Sequence, residues 1–161
     1  MLILGIDPGS QFTGFGFVEQ AGDRLRAIEC GRIRCRRSES LAARLVHLTR
    51  ELEMMLDRFN PQLAVLETPF HGVNSRSLIV LAQARGALLA TLARSDIDIV
   101  EYSPAEVKAA VTGNGRADKQ QVARMVRLLL SLGSRELSSD ATDALAMAIC
   151  GAQRWKMDRL G

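Results

Sequence analysis

The sequence predicts an α/β domain with a mixed five-stranded sheet flanked by helices. Two observations carry this expectation. Before residue 40 three strand-like segments follow one another through tight turns, the pattern of an antiparallel meander. After it, segments of helical period alternate with short apolar runs of strand length, the pattern that places strands in parallel with helices packed on the sheet.

Each element has its own signal. Leu2 to Ile6 is an apolar run ended by the turn residues Asp7-Pro8-Gly9-Ser10. Thr13 to Glu19 is the second strand, Ala21-Gly22-Asp23 the turn, and Leu25 to Arg34 the third strand, pairing back as a hairpin. From Ser40, Leu41, Leu45, Leu48, Leu52 and Leu56 form one helical stripe that Asn60-Pro61 stops. Gln62 to Leu66 is a fourth strand, delivering Glu67 at its end, and Pro69 to Asn74 is a loop. Ser75 to Arg94 reads as a long, largely buried helix of small and apolar residues. Ile97 to Tyr102 is the fifth strand, and Ser103-Pro104 caps a short helix to about Val111. After the loop Gly113 to Ala117 come helices from Asp118 to about Leu132 and from about Ser139 to Trp155. This order of elements resembles the RNase H-like fold.

With 161 residues, 47% hydrophobic and 24% charged, the chain is long enough for one domain, residues 1–161, that buries a core without disulfides. The apolar start lacks the basic flank and length of a signal peptide and no stretch is expected to reach transmembrane length, so a cytoplasmic protein without a membrane partner is expected. Cys30, Cys35 and Cys150 show neither CxxC spacing nor neighbouring histidines, which argues against zinc and for reduced, structural thiols. The net charge of +3 is mildly basic. Its distribution carries more: acids reserved for metal ions would leave the remaining surface more positive, which suits phosphate binding.

Phosphodiester hydrolysis by two metal ions needs converging carboxylates, and four are suitably placed. Asp7 and Glu67 end the first and fourth strands and leave the sheet at similar height if those strands are parallel neighbours. Asp140 and Asp143, three residues apart at the start of the last helix, share a face that can lean over the sheet edge. Each has a second role open to it: Asp7 as a turn residue, Glu67 as a solvent-facing strand end, Asp140 as a first-turn carboxylate at the helix dipole. Asp143 directly precedes the apolar run Ala144 to Cys150, so it wants a cationic partner.

Beside the acids, Phe70 either stacks against bases or folds back on the core. Lys108, Arg116, Lys119, Arg124 and Arg127 make the later helices basic, and Arg76 joins Phe70, Lys108, Arg116 and Lys119 as the candidate DNA-contacting set. Arginine outnumbers lysine eighteen to three. His47 reads as a surface residue and His71 as a loop residue near Glu67. Gly113-Asn114-Gly115 lacks the full pattern of a nucleotide-binding loop.

The segments LGIDPGSQFTGFG, LAVLETPF, LAQARGALLA, EYSPAEVKAAVTGNGRADKQQV and DATDALAMAI resemble the RuvC family of Holliday junction resolvases in order and spacing, over nearly the whole chain. The resemblance implies a structure-selective endodeoxyribonuclease of the RNase H-like fold, with Asp7, Glu67, Asp140 and Asp143 as catalytic, metal-binding acids. It implies two magnesium ions per subunit, with manganese able to substitute. Phe70 matches the aromatic placed at the junction centre, and Lys108 and Lys119 match basic residues that contact substrate. The implied partners are four-way junction DNA, a second copy of the chain, and the RuvA and RuvB branch-migration proteins. Three other readings compete: an RNase H-like nuclease acting on RNA, a fragment of an actin-like kinase using Asp7-Pro8-Gly9-Ser10 to hold phosphate, and a junction-binding module without catalysis.

Overall fold

A computed structural model describes residues 1–9, 11–68 and 75–158, with the side chains of residues 75, 76 and 156–158 outside the description. The loop expected at Pro69 to Asn74, with Phe70 and His71, and the side chain of Arg76 lie outside the described residues.

Strands β1 (Leu2–Asp7), β2 (Phe12–Ala21) and β3 (Arg24–Arg34) form the expected meander, followed by helix α1 (Leu41–Phe59), β4 (Leu63–Glu67), α2 (Ser75–Arg94), β5 (Asp98–Tyr102), α3 (Pro104–Thr112), α4 (Lys119–Leu129) and α5 (Ser139–Asp158). The sheet order is β3-β2-β1-β4-β5. β1 is antiparallel to β2 and parallel to β4, and β4 is parallel to β5, so the mixed sheet is as expected. This arrangement collects the ends of β1, β4 and β5, the start of β2 and the end of β3 at one end of the sheet.

The pleat sorts the core. Ile3, Val18, Leu63 and Val65 face α3, α4 and α5, whereas Leu4, Ile6, Phe17, Ala64 and Leu66 face α1 and α2. Leu48, Leu52 and Leu56 of the α1 stripe are buried against the second face, as their helical spacing requires. Ser40 caps α1 by accepting from the Ala43 amide at 3.2 Å, and Asn60 ends it in the left-handed region at φ 47°. α5 lies on the sheet so closely that Gly5 and Gly14 have no room for a side chain: a Cβ at Gly5 would overlap the Ala144 carbonyl oxygen, and one at Gly14 the Asp140 carbonyl oxygen. The three cysteines are free and buried, in agreement with their structural reading.

Two helices depart from expectation. α4 stops at Leu129, short of Leu132, because Ser131 turns into the left-handed region at φ 52° and breaks the helical path before Gly133 is reached. α2 is not largely buried. Only 28% of residues 77–94 are buried, although their mean hydropathy of 1.2 gives a stretch apolar and long enough for a membrane span, contrary to the expectation of none. Leucine, isoleucine and valine with alanine occur on every side and raise the hydropathy of the whole helix, while only the side bearing Ala84, Leu88, Thr91 and Leu92 meets the core; Ile79 is 59% exposed.

Candidate active site

The period of two along each strand aims the acids. Ile3, Gly5 and Asp7 alternate onto the α5 face of β1, and Leu63, Val65 and Glu67 onto the same face of β4. Ile6 pairs with Leu66 in parallel register, so the next residues, Asp7 and Glu67, leave the sheet side by side. α5 brings Asp140 and Asp143 to this point from above. Its start is fixed by Ser138, whose hydroxyl accepts from the Ala141 amide at 3.2 Å and whose carbonyl accepts from Thr142. Ser138 takes the cap, and Asp140, in the first turn of α5 as expected, lies 3.7 Å from the Arg32 guanidinium.

Asp7, Glu67 and Asp143 line one cavity of about 380 Å³ with Lys108 and Lys119, over an apolar floor that includes Val107 and Val122. α4 is positioned for this by a reciprocal capping box between Asp118 and Gln121, which sets Lys119 at its first turn. Lys119 Nζ stands 3.7 Å from an Asp143 carboxylate oxygen, the cationic partner expected beside the buried run Ala144 to Cys150. Arg116 is exposed in the turn between α3 and α4, beside but not in the cavity. Asp140 is outside the cavity lining yet close enough to act on the charges of Asp7 and Asp143.

Crowding of like charges in a partly buried place makes these groups poor isolated anions. Burial, then the charges of Asp143, Glu67 and Asp140, pushes the Asp7 carboxyl up from 3.8 to about 7, against the lowering effect of Lys119. Burial and Asp143 raise Glu67, with Lys108, Lys119 and Arg85 opposing. Burial also raises Asp143, where Lys119 opposes and Asp140 adds. Among the described residues no three such groups close into a coordination shell by themselves. A donor set of carboxylate oxygens with excess negative charge nonetheless fits hard divalent cations, which need few protein ligands and keep several waters.

One residue here had no place in the sequence reading. Arg85 of α2 is only 9% exposed, and its Nη1 donates to the Glu67 carbonyl oxygen at 2.7 Å. Its Nη2 lies 2.6 Å from the Glu101 carboxylate without aiming an N–H at it, so that contact is Coulombic. Arg85 thus ties the end of β4 to β5 from beneath the acids. The signal was a lone arginine among small apolar residues. Arg85→Met is expected to cost about 2 kcal/mol of stability, the value of hydrogen bonds to a charged group. Arg85→Lys should recover part of that loss, and denaturant midpoints of the two variants check this.

A family model described as crossover junction endodeoxyribonuclease RuvC matches residues 3–151. The chain belongs to the RuvC family. The RuvC protein of Chlorobaculum parvum is 44% identical over 154 residues, covering 96% of this chain and 82% of that one. RuvC of Pelotomaculum thermopropionicum is 42% identical over 159 residues, covering 99% and 97%. Among solved structures, T. thermophilus RuvC in complex with Holliday junction substrate superposes with a TM-score of 0.89 at 27% identity, over 98% of this chain and 96% of that one. Membership in the RuvC family bears out the expected fold class and nuclease activity together.

Proposed function

We propose that this protein resolves four-way DNA junctions in the cytoplasm by nicking two strands of like polarity symmetrically, in homologous recombination and repair. The observation that carries the reading is the convergence of Asp7, Glu67 and Asp143 on one lysine-flanked cavity, with Asp140 beside it, in a chain of the RuvC family. A T. thermophilus relative is known in complex with Holliday junction substrate, and the same substrate class is assigned here.

Asp7, Asp140 and Asp143 would hold one magnesium and Asp7 with Glu67 a second, manganese serving as substitute. When bound, the ions supply the acidity that activates water and the positive charge that stabilises the leaving 3′-oxygen. The chain's own part is positional. Asp7 and Glu67 are fixed by the sheet, Asp143 by α5, and Lys119 brings an exposed positive charge to the rim, where a scissile phosphate gains charge in the transition state. Lys108 and Arg116 add phosphate contacts alongside. Phe70 is assigned to the junction on the family resemblance, and Arg76 is kept as a candidate DNA contact.

Symmetric nicking requires two sites related by a two-fold axis, hence a homodimer. The open apolar side of α2, with Ile79 at 59% exposure, supports pairing with a second copy. RuvA and RuvB are assigned as branch-migration partners on the same family grounds.

The deciding experiment is cleavage of a labelled, mobile four-way junction with magnesium and with EDTA, beside a linear duplex of the same sequence. Paired, ligatable nicks confined to the junction with magnesium are expected. Equal cutting of linear duplex, or cutting of structured RNA alone, would replace this reading with another RNase H-like nuclease.

A further inference from the structure

Resting on the junction-nuclease reading, we infer that the arginine cluster at the end of β3 and the start of α1 is a second DNA-binding surface, gripping the duplex arm that leaves the cleavage centre. Arg34, Arg36, Arg37 and Arg50 with His47 line two adjoining grooves of about 500 and 640 Å³. Arg34, Arg36, Arg37 and Arg50 are exposed. Several other arginines stand against acids: Arg26 with Glu19, Arg94 with Glu53, Arg154 with Glu106, Arg32 with Asp140. Among the described residues Arg34, Arg36, Arg37 and Arg50 take no ion pair, and Glu39 is the one acid lining either groove. Among the described residues Glu39, and for Arg34 the Phe12 ring at 6.0 Å, offset the mutual repulsion of these guanidinium groups only in part, and a polyanion relieves the rest.

Position selects duplex DNA as that polyanion. Asp7 pairs with Gly14 and Gly14 with Arg32, so Arg32 sits two strand spacings from Asp7, about 10 Å. That distance is the rise of about three base pairs. Arg34 lies two residues further toward the end of the sheet that holds the acids, and Arg36 and Arg37 follow in the turn to α1. Lys108 and Lys119 flank the acids by way of α3 and α4, so the arginine cluster supplies the opposite flank. A strand cut at Asp7 and continuing as duplex over β2 and β3 therefore runs onto it. Planar guanidinium groups suit phosphate oxygens two at a time.

The test measures affinity of the full-length protein for a long-armed four-way junction as a function of salt, without metal. Arg34→Ala/Arg36→Ala/Arg37→Ala should flatten the slope of log K against log salt by about 2 to 3, at roughly 0.9 per lost phosphate contact. Arg50→Ala, on a different element, should flatten it by about 1. The charge-matched Arg24→Ala/Arg26→Ala/Arg58→Ala, at the other end of the sheet, should leave it as in the unaltered protein. Arg32 is kept because it touches Asp140. Unchanged slopes in both the triple variant and Arg50→Ala overturn the proposal and leave the surface to an acidic protein. Equal flattening by the control triple overturns it too, reducing the effect to net charge. Magnesium-dependent junction cleavage by the unaltered protein, run in parallel, separates the two levels: its absence strikes the nuclease reading, whereas cleavage with unchanged slopes strikes this surface alone.

Discussion

Asp7→Asn is expected to bind a four-way junction and fail to cut it, with cleavage reduced by at least on the order of 10³-fold, about 4 kcal/mol of transition-state stabilisation. Asp7 is the acid on which the charges of the other three converge, and it is assigned to both metals, so no neighbour replaces it. Binding draws on cations at other positions and survives. The same variant has a signature in stability. Folding raises the Asp7 carboxyl from 3.8 to about 7, so the folded chain holds this proton more tightly than the unfolded one. Without metal, the contribution of Asp7 is therefore most favourable below about pH 4 and declines as pH climbs to about 7, by up to roughly 4 kcal/mol. Asp7→Asn removes that decline. Thermal melts in EDTA should show the variant losing less stability than the unaltered protein between pH 4 and 8, with Glu67 and Asp143 supplying the slope that remains. A variant that melts with the same pH dependence as the unaltered protein would show that Asp7 is not crowded in this way.

Gly14→Ala should damage the fold and the chemistry together. A methyl group at Gly14 would overlap the carbonyl oxygen of Asp140, a backbone atom in the first turn of α5 that no side-chain rotation can remove. Overpacking of this kind costs about 1–3 kcal/mol, and the upper end applies where the obstacle is helical backbone. The helix start must lift, carrying Asp140 and Asp143 away from Asp7 and Glu67. Cleavage is expected to fall by roughly 10²-fold, the effect of a misplacement of about 1 Å. Gly113→Ala is the contrast: its Cβ meets nothing within 4 Å, so only the cost of its positive φ of 77° applies. A Gly14→Ala protein that cleaves normally would mean that α5 does not seat the acids.

Legibility from sequence followed the range of the physics. Periodicity is local, so the strand ends bearing Asp7 and Glu67 and the helix bearing Asp140 and Asp143 could be read directly, and the parallel register of β1 and β4 then joined them. The helix stop at Asn60 and the cap at Ser103 were equally plain. Hydropathy, by contrast, reports what a residue is and not what covers it, which is why α2 passed for a buried helix. Arg85 stayed hidden for the related reason that its partners, the Glu67 carbonyl and Glu101, come from other strands. Ser131 gave no warning of its left-handed turn because Leu128, Leu129 and Leu130 continue the apolar pattern of α4. At Asp140 the cap itself falls to Ser138, two residues earlier, while Asp140 keeps its first-turn place at the helix dipole.

The distribution of the acids along the chain also orders events in time. Asp7 lies in β1 and Asp143 in α5, so the pocket is assembled from elements that leave a ribosome well apart in time. A nascent chain that has made its sheet but not α5 has two of the four carboxylates and no grip on paired cations. The assigned activity therefore waits until α5 has been made and has docked against Gly5 and Gly14.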